Sequence, residues 1–224
     1  MPLAQPAADV WTLVAHIAEQ TPDAPGFLHG DRTISFFELT ESARRAAQGL
    51  ADLGIGPGDR VALWLPNVPA YPILYLACIR LGAIAVAVNT RYRAVEVADI
   101  VGRSGAKVLA CAPGFRRIDF LSILADIEPD ALDRLSAIVT VGEEPASVPS
   151  AIERLRRVPF ERLLSRPRLG LNNAKANAPC NIFTTSGTTS SPKFVLHRQG
   201  AIAGHAQQVA RAFGFTAPDT LSLA

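Results

Sequence analysis

The sequence predicts an α/β protein built on a parallel sheet with helices packed on both faces. Apolar runs such as Val61-Ala62-Leu63-Trp64-Leu65 and Ala137-Ile138-Val139-Thr140-Val141 are nearly continuous, as strands covered on both faces must be. They alternate along the chain with stretches whose apolar residues recur at helical spacing. With 224 residues, 49% of them hydrophobic and 19% charged, there is material for one good core or two modest ones.

The elements follow in order. Val10 to Gln20 sets Val10, Leu13, Val14, Ile17 and Ala18 on one helical face behind Asp9, an N-cap, and Pro22 and Pro25 end it. Residues 26–29 and 32–34 flank Gly30-Asp31 as a hairpin. Ser35 and Glu38 form a capping box ahead of a stripe of Leu39, Ala43, Ala46, Ala47, Leu50 and Leu53, and that helix should stop at Gly54. Gly54, Gly56 and Gly58 suggest a dinucleotide fingerprint but fail it. Asp59 stands where the third glycine belongs, and the loop joins helix to strand rather than strand to helix.

After the strand Val61 to Leu65, Pro66-Asn67 turns the chain into a helix over 68–81, and Ile84 to Val88 is the next strand. Tyr71 to Val88 holds a single charge, Arg80, and is long enough for a membrane span. The pattern changes from helical to strand-like at Gly82, so a helix and a buried strand are predicted and no membrane segment. A helix over 95–103, a strand over 107–110, a helix over 118–127 and a strand over 137–141 complete the alternation. Gly142 to Ala178 carries four prolines, and six arginines between Arg154 and Arg168, and reads as a solvated connecting segment. Ala201 to Phe213 is predicted to be a helix burying Ile202, Val209 and Phe213. The expected division is a first α/β subdomain over 1–178, and over 179–224 a loop segment with the start of a second.

A net charge of +2 argues against nucleic acid or a membrane surface as a partner. Three scattered cysteines, Cys78, Cys111 and Cys180, give neither a disulfide framework nor a metal spacing; they read as small buried apolar residues in a reducing cytoplasm. His16, His29, His197 and His205 share no ligand-like spacing. The N-terminus has no basic lead and no apolar core, so no signal peptide is expected.

The densest chemistry lies between Ile182 and His197. Seven of the eight residues from Thr184 to Ser191 bear a hydroxyl, and the eighth is Gly187. Lys193, one of three lysines in the chain, closes the stretch between two β-prone runs. Hydroxyls, free backbone N–H groups and an ammonium on a tight loop suit a polyphosphate. A flexible linker is the bland alternative. It is not a Walker A loop, because Pro192-Lys193-Phe194 opens a strand rather than a helix.

Thr185-Ser186-Gly187-Thr188-Thr189-Ser190-Ser191-Pro192-Lys193 resembles the phosphate loop of the adenylate-forming enzymes, the AMP-dependent synthetase and ligase family. The resemblance extends through Ile34-Ser35-Phe36, Gly56-Pro57-Gly58-Asp59-Arg60-Val61-Ala62, Leu65-Pro66-Asn67, Asn89 and Ser104-Gly105-Ala106-Lys107, in the family's order. Ser190 and Phe194 depart from positions where glycine is usual or frequent. Gln199 stands where many members have a histidine, and His197 is given no role in an acid pocket.

The resemblance implies the N-terminal part of the acyl-CoA synthetase-like fold, and an enzyme that activates a carboxylic acid with ATP and Mg2+ and passes it to a thiol, commonly that of coenzyme A. Thr185, Ser186, Gly187, Thr188, Thr189 and Ser190 would cradle the phosphates, and Lys193 would be catalytic. It also implies a longer enzyme, with the groups for adenine, ribose and acid beyond residue 224. A non-catalytic remnant that binds phosphate or a partner is the alternative.

Overall fold

Asp9 accepts hydrogen bonds from the Thr12 N–H (2.8 Å) and hydroxyl (2.9 Å), capping α1 (Val10–Gln20), the first element of the computed structural model, which describes residues 9–142, 147–185, 192–217 and 219–222. The strands β1 (Pro25–His29) and β2 (Arg32–Ser35) form the expected hairpin, and the reciprocal Ser35–Glu38 capping box starts α2 (Phe36–Asp52). Gly54 (φ 81°) and Gly58 (φ 80°) take left-handed angles in the turn to β3 (Arg60–Trp64), which makes them turn glycines.

From there the chain alternates through α3 (Ala70–Leu81), β4 (Ile84–Ala87), α4 (Ala94–Ser104), β5 (Val108–Cys111), α5 (Phe120–Ala125) and β6 (Ala137–Thr140). It continues with β7 (Arg156–Pro159), α6 (Phe160–Leu164), β8 (Pro179–Thr185), β9 (Lys193–Arg198) and α7 (Gln199–Ala212). The stretch that could have spanned a membrane is thus α3 followed by β4.

Seven strands form one sheet in the order β7-β6-β5-β3-β4-β8-β9, parallel except for β9. The strand period of two sends alternate residues to two cores. Val61, Leu63, Ala85, Val108 and Cys180 meet α1, α2, α3 and α6 on one face; Ala62, Trp64, Val86, Leu109 and Ile182 meet α4 and α5 on the other. Both faces are covered, as the unbroken apolar runs require. β8 lies directly beside β4, so residues on either side of position 178 belong to this sheet.

Two sequence expectations are corrected. The region expected to be a solvated connection contains β7 and α6, with Val158, Phe160 and Leu163 buried. β7 is one of the sheet's two edge strands, so it does not need the apolar run of a central strand, and exposed Arg156 and Arg157 hide it. In α7 the buried residues are Gln199, Ala203 and Gln207, while Phe213 is 73% exposed. A polar residue leads the buried face because the Gln199 amide donates to the Ile79 carbonyl (3.3 Å).

From α6 the chain returns across the α3 side of the sheet to β8. Arg80, only 5% exposed, donates to the carbonyls of Leu169 (3.0 Å) and Gly170 (3.3 Å), and its guanidinium lies 4.6 Å from the centre of the Trp11 ring. The Leu169 N–H donates to the Arg44 carbonyl and the Asn173 N–H to the Arg80 carbonyl, which fixes the approach to β8.

The cysteines are fully buried, as expected. Burial pushes the Cys78 and Cys111 thiols up to about 12 and Cys180 up to about 11, so almost no thiolate exists near neutrality. Iodoacetamide at pH 8 is expected to leave the folded chain unlabelled and to add three groups after denaturation, as read by intact mass. Rapid labelling of the native protein contradicts this.

Candidate active site

The connections leaving β3 and β5 diverge: α3 packs into the first core and α5 into the second. β5 returns to the far side of β3, so the strand order reverses between these neighbours. At the carboxyl ends of parallel strands such a switch point leaves a crevice, because no connection covers it. A cleft of about 750 Å³ opens there. Pro66 and Asn67 line it after β3, and Val88, Asn89, Arg91 and Tyr92 line it after β4.

The rim is held from beneath. The buried Trp64 indole N–H donates to the Asn89 carbonyl (3.0 Å), and the Asn89 side-chain oxygen accepts from the Arg91 N–H (2.9 Å). Arg93 turns back onto the carbonyls of Arg91 and Tyr92 (3.0 Å each). Its own N–H donates to Glu96 (3.0 Å), a bond that holds the Glu96 carboxyl below its usual range. Arg93 is thereby a structural residue, whereas the Arg91 guanidinium has no carboxylate partner among the described residues.

Across the cleft stands Arg116, between Gly114 (φ 84°) and Arg117 (φ 60°), with its own φ at 49°. A non-glycine residue in the left-handed region costs roughly 1–2 kcal/mol, and here two arginines occupy it in succession. The Arg116 guanidinium lies 5.3 Å from the Phe115 ring centre. Tyr71 also lines the cleft, and burial raises its phenol, which therefore stays neutral. Arg91 and Arg116, with no carboxylate partner among the described residues, stand among amides and aromatic rings as an anion-accepting surface.

The far wall is Phe183 and Thr184, on β8. One residue further, Thr185 pairs with Lys193 across the antiparallel β8–β9 ladder. Chain from the two sides of the hydroxyl-rich segment therefore meets at the cleft's edge, with the Lys193 side chain exposed. Among the described residues no carboxylate lies within ion-pair distance of that ammonium. Ser186, Gly187, Thr188, Thr189 and Ser190 lie outside the described residues.

The family model for AMP-binding enzymes matches residues 14–223. The chain belongs to the AMP-binding enzyme family. Among its family relatives, the mitochondrial medium-chain acyl-CoA ligase ACSF2 of Bos taurus is 32% identical over 190 residues, covering 79% of this chain and 31% of that protein. The putative acyl-CoA synthetase YngI of Bacillus subtilis is 25% identical over 228 residues, covering 94% of this chain and 41% of that one. The crystal structure of the anthranilate CoA ligase AuaEII with anthranoyl-AMP shares the fold, with a TM-score of 0.78 at 23% identity, covering 91% of this chain and 37% of its own. The mostly parallel α/β fold is thus that of the N-terminal part of acyl-CoA ligase-like structures. The chain spans about a third to two-fifths of the length of these curated relatives.

Within this member of the AMP-binding family, His197 is half-buried with its ring edge-on to Phe183 (5.5 Å). Gln199 is fully buried and its amide is engaged with the Ile79 carbonyl, so this side chain is part of the α7 packing. Arg91, Arg116, Tyr71 and Tyr92 were not singled out by sequence reasoning. Pro66-Asn67 and Asn89-Thr90 read as turns, and only the strand order reveals that both turns border one cleft.

Proposed function

We propose that this chain is the phosphate-binding N-terminal part of an AMP-forming acid–thiol ligase. The observation that carries the reading is the Thr185–Lys193 register pair, which puts a hydroxyl residue and a lysine with no ion-pair partner among the described residues side by side at the end of β8, beside the switch-point cleft. In the first half-reaction a carboxylate oxygen attacks the α-phosphorus of ATP; the bond to the bridging oxygen breaks and pyrophosphate leaves. In the second, a thiol sulfur attacks the acyl carbon and AMP leaves. Charge gathers on pyrophosphate in the first step, where fixed donors and cations act most strongly. Lys193 offsets part of that charge, and Thr185 begins the row of hydroxyls and N–H groups that bind the phosphate oxygens.

Among the described residues no group of carboxylates, imidazoles and thiols is arranged to cage a metal. Magnesium would enter with the nucleotide and offset phosphate charge alongside Lys193, the usual way in which Mg2+ enters phosphoryl chemistry. The relatives are named as CoA ligases and an acyl-CoA synthetase, which makes coenzyme A the proposed thiol donor. Arg91 and Arg116 give the cleft the positive charge that its phosphates need.

Exchange of labelled pyrophosphate into ATP tests the reading, measured with this chain and with any longer polypeptide containing it, over a panel of aliphatic and aryl acids. Acid-dependent exchange by at least one of them is expected. Its absence from all of them, at saturating ATP and magnesium, overturns the proposal in favour of a non-catalytic binding module.

A further inference from the structure

Arg103 lies in the last turn of α4, on the second-core side of the sheet, yet two of its contacts converge on the chain around Lys193. Its Nη1 donates to the Pro192 carbonyl (3.1 Å), and the guanidinium stands over the Phe194 ring, 4.4 Å from its centre. The same Nη1 donates to Asp99 one turn back in α4 (2.8 Å), which fixes the arginine's own rotamer. Pro192 and Phe194 are the two neighbours of Lys193. Phe194 packs against the second core, so strand alternation puts Lys193 on the opposite face, with Thr185.

We propose that Arg103 is a positioning residue for Lys193: it pins the carbonyl before it and the ring after it, and so sets the direction of the ammonium. Asp99 pairs with the guanidinium and Phe194 holds it on the face opposite Lys193, so its action is geometric rather than that of a second cation at the phosphates. The proposal rests on the role given to Lys193 above. Misplacing a charge-stabilising group by about 1 Å can cost up to about 100-fold in rate, without loss of the group itself.

The experiment is a double-mutant cycle on pyrophosphate–ATP exchange in a polypeptide whose wild-type form supports it, using R103A, F194G and the pair, with R103K alongside. R103A is expected to lower the maximal exchange rate about tenfold, leave the KM for the acid unchanged and keep the thermal midpoint within a few degrees. R103K keeps a donor and a cation over the ring and is expected to recover most of the rate. The pair should lose no more than the worse single variant, because both remove one clasp. An unchanged rate in R103A, multiplicative losses in the pair, or a fall in rate that only tracks a lowered midpoint overturns the role of Arg103. Absence of exchange by every wild-type form overturns the parent reading of Lys193 itself, and the two failures are therefore distinct.

Discussion

Lys193→Met is expected to slow acyl-adenylate formation by about 10²–10³-fold, the usual effect of deleting one preorganised group that meets developing charge. Transfer of the acyl group from a supplied acyl-adenylate to the thiol should change far less. The asymmetry follows from where charge moves. Pyrophosphate gathers negative charge only in the first half-reaction; in the second, AMP leaves and the site of the β- and γ-phosphates is no longer in play. Methionine keeps the length and apolar stem of lysine and removes only the ammonium. Lys193 is exposed and has no ion-pair partner among the described residues, so its loss strands no buried charge and should barely alter stability. Pyrophosphate exchange reads the first step, and single-turnover thioester formation from the synthetic adenylate reads the second. Equal slowing of both removes Lys193 from the pyrophosphate site.

The core was legible because central parallel strands have no solvent face to encode: Val61 to Leu65 can only be a strand covered on both sides. Edge elements escaped for the converse reason. β7 buries Val158 alone among four residues, so nothing in its alternation separates it from a polar loop. In α7 the polar residues Gln199 and Gln207 occupy the buried face, and a search for apolar periodicity selects the exposed Phe213 instead. The site divides in the same way. The hydroxyl-rich segment proposed to bind phosphate stands out by local composition, but a switch-point cleft is a property of strand order. Asn67 and Asn89 are 22 residues apart in sequence and become neighbours of one cavity because β3 and β4 pair in parallel, and Arg116 joins them because β5 returns past β3. Arg116 carries no sequence signal at all. A left-handed arginine is a backbone state that nothing in its residue type predicts.

Trp64→Ala is expected to destabilise the fold by about 3–5 kcal/mol, a large share of the roughly 5–15 kcal/mol that holds a domain together. The indole is fully buried in the second core, edge-on to Phe120 at 4.5 Å between ring centres. Its removal takes away aromatic packing and leaves a cavity between β3 and α5. It also removes one of the two N–H groups that donate to the Asn89 carbonyl at the cleft rim, the other being that of Tyr92. Trp64→Phe separates these contributions. It restores much of the volume and leaves the carbonyl with the Tyr92 N–H (3.0 Å) as its one remaining donor, a loss of about 0.5–1.5 kcal/mol. Urea unfolding followed by far-UV circular dichroism reads both variants, the midpoint falling with little change in slope, and Trp64→Phe lying between Trp64→Ala and the parent. A loss below about 1 kcal/mol for Trp64→Ala contradicts the packing described for the second core. A Trp64→Phe variant equal to the parent shows that the bond to Asn89 contributes nothing to holding the cleft.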